Sequence, residues 1–181
     1  SVREAFVNKW VFRVIPLDAF DMNESVMEQF VVQLETSNPP MILGYANALF
    51  QFAKFLRRRH PNHRIRPKGI VSSAETLTAE ARATLEDVFK CPVLNRYGSR
   101  EVGLVASECA HQKGLHINMD NVVVEILGAD GNPVAPGESG DIVVTDLWNF
   151  GMPLIRYRME DRGHFLNGTC TCGRTLPLMG Q

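Results

Sequence analysis

Apolar and polar positions recur with two different periods along this chain, and the change falls near residue 104. Val26, Met27, Phe30, Val31 and Leu34 recur at the spacing of one helix face, with Asn23 as N-cap and Ser37-Asn38-Pro39-Pro40 as the stop. The apolar run Met41-Ile42-Leu43 follows and closes on Gly44. Leu49, Phe52, Ala53 and Leu56 predict a second helix that runs into Arg57-Arg58-Arg59. Gly69-Ile70-Val71 predicts another buried strand. Thr78 caps a third helix with Ala81, Leu85 and Val88 inward, and Pro92-Val93-Leu94 is a further strand candidate. Strands separated by helices imply right-handed crossovers and a parallel sheet. After Leu104 no helix pattern intervenes. Residues 121–127 read as a strand, Gly128-Ala129-Asp130-Gly131-Asn132-Pro133 as a turn, and residues 141–145 as a further strand. The expectation is an α/β protein in two parts: an α/β half with a parallel βαβ sheet over residues 1–104, and a small antiparallel β subdomain over residues 105–181.

The chain has 181 residues, 45% hydrophobic and 22% charged, with a formal net charge of −1. That mix excludes wholesale disorder. It supplies no global positive field for nucleic acid or a membrane surface, and no apolar run reaches the ~20 residues a bilayer needs. The start, Ser1-Val2-Arg3-Glu4, has neither an initiator Met nor a signal-peptide core, so a cytoplasmic piece of a longer protein is expected. The basic stretch from Arg57 to Lys68, with His60 and His63, lacks interleaved aromatics and reads as a solvated helix end rather than an RNA site. Trp10 and Trp148 are expected in the core or an interface. Cys91, beside Pro92, reads as a small buried hydrophobe.

Three segments carry candidate chemistry. Val71-Ser72-Ser73-Ala74-Glu75-Thr76-Leu77 is a strand that runs into small polar residues ahead of a helix. Ligand crevices in parallel sheets lie at such strand ends, and helix N-termini favour phosphate; a simple helix cap is the alternative. Asn95-Arg96-Tyr97-Gly98-Ser99-Arg100-Glu101-Val102-Gly103 combines a ring that can face a base with a glycine that permits a tight turn. In the same segment Ser99 can donate to phosphate and Glu101 is a hard oxygen ligand suited to Mg²⁺. An ordinary strand-to-loop segment would look the same. Met152-Pro153-Leu154-Ile155-Arg156-Tyr157-Arg158-Met159-Glu160-Asp161 ends in a carboxylate that could take ribose hydroxyls or pair with Arg156 or Arg158.

These segments, together with Leu115-His116-Ile117-Asn118, Pro136-Gly137-Glu138-Ser139-Gly140-Asp141 and Cys170-Thr171-Cys172-Gly173-Arg174-Thr175-Leu176-Pro177, stand in a fixed order. In that order they resemble the adenylate-forming superfamily of acyl-CoA synthetases, in the branch of phenylacetate–CoA ligase and the CapK-type capsular polysaccharide biosynthesis proteins. The resemblance covers about residues 40–178. It implies that Ser73, Ala74 and Glu75 line a nucleotide site, that Asn95 sits at the adenine edge and that Tyr97 and Gly98 lie against the base. It implies Ser99 near the α-phosphate, Glu101 on Mg²⁺ and Asp161 on the ribose, with Ser99 and Glu101 as the catalytic pair. Gly44 and Tyr45 would form part of the acyl pocket. Where the family usually has Thr-Gly before the ribose aspartate, this chain has Met159-Glu160.

Cys170 and Cys172 form a tight pair followed by Gly173, which suits a metal knuckle. If the segments around 103–109 and 115–119 pair across their loop, Cys109 and His116 become neighbours. Three thiolates and an imidazole then make a closed tetrahedral Zn²⁺ set. His111 competes with His116, and the branch's combination of the Cys-x-Cys-Gly-Arg and Leu-His-Ile blocks favours His116. Free, partly buried cysteines are the alternative.

The resemblance implies a protein that activates a carboxylic acid, an aryl acid by preference, with ATP and Mg²⁺ to an acyl-adenylate (the acid joined to AMP), and passes the acyl group to coenzyme A. A non-catalytic, zinc-stabilised binding module on the same scaffold is the rival. No Ser/Thr/Gly-rich phosphate loop precedes Gly44, and the lysine-bearing domain of such enzymes has no counterpart before Gln181. The chain is therefore expected to be the later part of a large N-terminal domain, inactive by itself. Uncovered apolar residues Trp10, Phe12 and Phe20 would favour a homodimer.

Overall fold

The computed structural model describes residues 14–181. Trp10 and Phe12 lie outside the described residues. Helix α1 spans Glu24–Ser37, α2 Ala46–Arg59 and α3 Ala79–Phe89. Strands β1 to β3 are Met41–Tyr45, Gly69–Ser73 and Val93–Ser99. Strands β4 to β6 are Gly103–Glu108, Leu115–Ile117 and Val122–Leu127. Strands β7 to β9 are Gly140–Asp146, Tyr157–Phe165 and Leu178–Gly180. The hydrogen-bonded strand order is β1-β2-β3-β4-β5-β9-β8-β7-β6, a mixed α/β sheet. None of the described helices is long and apolar enough to cross a membrane.

The backbone contacts divide the chain into two compact units: Ser1–Ile70 with Leu77–Val93, and Val71–Thr76 with Leu94–Gln181. No described helix follows α3, which ends at Phe89, ahead of the change in sequence period near 104. The units divide earlier because β3 pairs antiparallel with β4 and so belongs with the strands after it.

In the first unit the cap residues act as the sequence predicts. The Asn23 side chain accepts from Val26 N at 3.0 Å and the Thr78 hydroxyl from Ala81 N at 3.1 Å, each satisfying one orphan donor of a first helical turn. Helix α1 ends at Asn38 in the left-handed conformation, with its N–H on Leu34 O. Phe30, Phe52, Phe55, Leu56, Ile65, Ile70, Leu85 and Phe89 are buried in one cluster, and Cys91 joins it as a small hydrophobe. Each large side chain contributes about 1.5–3 kcal/mol on leaving water. The last turn of α2 is solvated as expected: Arg57 pairs with Asp87 at 2.9 Å, Arg58 with Glu24 and Arg59 with Glu28 at 3.6 Å. His63 departs from that reading; it is buried, edge-on to Phe89. Strand β1 is half-buried at most, with Met41 and Leu43 exposed, because it forms an edge of the sheet.

The second unit is an antiparallel ladder. Strand β4 pairs with β5, and Ser107 stands opposite His116. Strand β5 pairs with β9, which puts His116 opposite Leu178, and β9 pairs with β8 through His164 and Gly180. Strands β7 and β6 continue it, with a core of Val105, Ile117, Val122, Ile142, Val144 and Met179. Trp148 is 68% exposed, so of the two expectations it is not core; its indole N–H donates to Asp120 O at 2.8 Å.

Two irregularities interrupt the ladder. The β3–β4 register shifts between Tyr97 and Gly98. A Cβ at Gly98 would lie 2.0 Å from Gly103 O, so no side chain fits there. In the β7–β8 pair, Asp141 faces Arg162 and Val143 faces Arg158, so Met159, Glu160 and Asp161 stand opposite Ile142 alone. That bulge holds Glu160 at φ 61, the left-handed region that favours glycine.

Candidate functional site

Segments far apart in sequence meet in a polar cleft of the second unit. It is lined by Ala74, Glu75 and Thr76 after β2, by Arg96, Tyr97 and Gly98 of β3, by Asp161 of β8 and by Gln181. The β8 bulge presents Asp161 to the Tyr97 hydroxyl, which donates to its carboxylate at 2.9 Å. Burial, and then that hydrogen bond and the charge of Asp161, push the Tyr97 hydroxyl well above its ordinary range, so it remains a donor at neutral pH. Ala74 sits at φ 66, a strained conformation for a residue with a Cβ, and such strain clusters at ligand sites. Arg96 Nε donates to Ser73 Oγ at 3.0 Å.

The arginines that could have paired with Asp161 are engaged elsewhere. Arg156 makes a two-pronged pair with Glu125, at 2.9 and 3.1 Å, and Arg158 pairs with Asp141. Asp161 therefore keeps acceptor capacity facing the cleft. Asn95 donates its backbone N–H to Glu108 at 2.7 Å, while its side-chain Oδ1 is buried with no partner. An orphaned acceptor of this kind costs about 1–3 kcal/mol unless a ligand or water fills it. Ser99 Oγ accepts from the N–H groups of Glu101 and Val102 at 3.2 and 3.4 Å, closing the β3–β4 turn. The Ser99 hydroxyl holds the Glu101 carboxyl below the usual range, so that exposed group is ionised and fits a hard cation. Of the residues singled out from the sequence, Ala74, Glu75, Tyr97, Gly98 and Asp161 line the cleft and Ser73 braces it. Asn95, Ser99 and Glu101 lie on or just beyond β3 without lining it. Gly44 and Tyr45 belong to the first unit, where Gly44 packs close to Leu49. The sequence reading missed Thr76, Arg96 and Gln181; strand alternation would set Arg96 on the face opposite Tyr97 and gave no signal for it.

No protein-family model matches this chain. It is 30% identical over 160 residues to phenylacetate-coenzyme A ligase of Thermus thermophilus, a match covering 84% of this chain and 36% of that one. It is 27% identical over 146 residues to Protein CapK of Staphylococcus aureus, covering 80% of this chain and 31% of that one. These matches support a fragment similar to the phenylacetate–CoA ligase and CapK branch of the adenylate-forming superfamily. It spans about a third of the length of these relatives. Its backbone resembles that of 2-hydroxyisobutyryl-CoA ligase in complex with 2-HIB-AMP and CoA, with a TM-score of 0.78 at 20% identity over 87% of this chain and 36% of that one. VinN is similar at a TM-score of 0.58 and 21% identity, over 84% of this chain and 42% of that one. At these identities the two structures speak to the fold.

The chain also carries a thiol–imidazole cluster. Cys109, His116, Cys170 and Cys172 offer ligand atoms that all lie within 4.8 Å of one another. Cys109 Sγ is 3.6 Å from Cys170 Sγ, and Cys172 Sγ is 3.5 Å from His116 Nε2. Thiolates bound to a tetrahedral zinc at about 2.3 Å stand about 3.8 Å apart, and a thiolate stands about 3.5 Å from an imidazole nitrogen. A disulfide would need about 2.05 Å. Burial, then the nearby Arg174 charge, lowers the His116 pKa, which keeps the ring neutral and able to ligate. A hydrogen bond from the Arg174 backbone leads the effects that bring the Cys172 thiol down to about 7. His111 stands aside: it is exposed, with Nδ1 2.7 Å from the Thr171 hydroxyl. The pairing of Ser107 with His116 brings the cluster together, as the expected hairpin requires.

Proposed function

We propose that the chain is the later part of the large N-terminal domain of an adenylate-forming acid–thiol ligase. Such an enzyme joins a carboxylic acid, an aryl acid by preference, to AMP from ATP with release of pyrophosphate, and then transfers the acyl group to coenzyme A. The observation that carries this is the convergence of the three motif segments on one cleft, with Tyr97 and Asp161 in hydrogen-bond contact. In this reading Asp161 takes the ribose hydroxyls, Tyr97 and Gly98 lie against the base, and Ser73, Ala74 and Glu75 form the opposite wall through their backbone. Asn95 lies near the adenine edge, next to the lining residues of β3. Ser99 serves the α-phosphate. Glu101 holds Mg²⁺, whose charge would be most needed as the pentavalent phosphorus develops. Gly44 and Tyr45 contribute to the acyl pocket.

Cys109, His116, Cys170 and Cys172 hold one structural Zn²⁺, since a closed four-ligand set leaves no position for a substrate. The working protein is cytoplasmic, and Phe20, 91% exposed, is available to a homodimer contact. The non-catalytic binding module remains as a second reading because Glu160 adds a carboxylate beside Asp161 and occupies a conformation suited to glycine. The test is acid-dependent pyrophosphate release by the full-length protein with ATP and Mg²⁺ across aryl and fatty acids, together with detection of the coenzyme A thioester. Turnover with an aryl acid supports the ligase. Nucleotide binding without turnover on any acid supports the binding module.

A further inference from the structure

Arg96 is the one basic residue among those lining the cleft, which also holds the carboxylates of Glu75 and Asp161. It is half-buried, and its Nε is fixed on Ser73 Oγ at 3.0 Å. None of the described residues forms an ion pair with it, although Arg156, Arg158 and Arg162 on the same unit all find carboxylates. Holding a guanidinium half out of water without a carboxylate is unfavourable unless a ligand completes it. The brace on Ser73 fixes the plane of the group and leaves its terminal nitrogens, which can only donate, free.

Position along β3 decides what those donors meet. The phosphate-side residues Ser99 and Glu101 lie at and beyond the far end of the strand. Arg96 lies on the other side of Tyr97, about 10 Å from Ser99 at roughly 3.3 Å per residue. Its neighbour Asn95 lies near the adenine edge in the nucleotide reading. Arg96 therefore stands at the base end of the cleft, not the phosphate end. Resting on the nucleotide reading of the cleft, we infer that Arg96 is a base-reading residue whose terminal N–H groups donate to the ring-nitrogen acceptors of the purine. It acts in specificity and positioning and takes no part in the bond changes at phosphorus.

Binding measurements on the full-length protein with AMP, adenosine and ribose 5-phosphate test this, using the parent, Arg96→Met and Arg96→Lys. The expected result for Arg96→Met is a loss of about tenfold for AMP and for adenosine alike, with ribose 5-phosphate unchanged. Arg96→Lys keeps the charge without the flat fork and should recover only part of the loss. Unchanged ribose 5-phosphate binding also shows that the variant has folded. Loss of AMP and ribose 5-phosphate with adenosine spared would place Arg96 on phosphate and overturn the inference. Unaltered binding of all the ligands would overturn it too. A parent that binds neither AMP nor adenosine would instead sink the nucleotide reading of the cleft, and this inference with it.

Discussion

The polar cleft and the cysteine cluster are built from the same antiparallel unit, yet they treat their polar groups in opposite ways. The cleft leaves capacity open: Asp161 is exposed with one hydroxyl donor and Arg96 has no carboxylate among the described residues. The cluster is closed: Cys109, His116 and Cys170 are 7%, 3% and 5% exposed, the Cys109–Cys170 and Cys172–His116 pairs stand at tetrahedral spacing, and all four ligand atoms lie within 4.8 Å of one another. A ligand that must enter and leave needs the first arrangement. A metal that must stay needs the second. The cleft depends on bulges and a left-handed residue, which cost stability, while the cluster returns stability if it holds zinc.

The widest separation between the two should come from removing the metal ligands. Replacing Cys170 and Cys172 together with serine is expected to abolish zinc binding and to lower stability by about 4 kcal/mol or more. Zinc analysis and thermal melts would show it. A variant that melts with the parent would mean the cluster holds nothing that matters to the fold. Gly98→Ala comes next, because its Cβ meets Gly103 O at 2.0 Å. The expected cost is about 1–3 kcal/mol, with AMP binding lost and zinc retained. Normal AMP affinity in that variant would show that the tight β3–β4 bulge does not shape the cleft.

Asp161→Asn should be more selective. AMP affinity is expected to fall by about ten- to a hundredfold, corresponding to roughly 1.5–3 kcal/mol for hydrogen bonds to a charged group. Zinc content and melting temperature should stay with the parent; a fall in zinc would show that cleft and cluster are one coupled system. The smallest effect belongs to Glu160→Gly. Relief of the left-handed conformation should raise stability by up to about 1 kcal/mol, read from a denaturant midpoint. A lower midpoint would mean that the Glu160 side chain contributes more than its backbone costs.

What the sequence made legible depends on how local each signal is. Asn23 and Thr78 announce helix starts because a cap needs only its own first turn. Helix α2 declares its buried face through Leu49, Phe52, Ala53 and Leu56. Strand β8 stayed hidden because Tyr157-Arg158-Met159-Glu160-Asp161-Arg162 has no apolar alternation. Its arginines are satisfied from the neighbouring strand by Asp141, a partner that only the fold supplies. The bulge that turns Asp161 toward Tyr97 likewise depends on the β7 register. Arg96 is silent in the sequence for a related reason, since its significance lies in the partner it lacks. The cysteine cluster was legible because one hairpin pairing suffices to join Cys109 and His116, and Cys-x-Cys supplies the remainder.

The central claim is that the cleft binds a nucleotide whose phosphorus chemistry runs on a metal held by Glu101. The most direct measurement compares the full-length parent with Glu101→Gln, tracking ATP affinity and Mg²⁺-dependent acyl-adenylate formation in the same preparations. The account predicts that adenylation falls by about a hundredfold or more while ATP affinity changes by less than about threefold, because the metal's charge is needed most in the transition state. A Glu101→Gln variant that adenylates at the parental rate would contradict it.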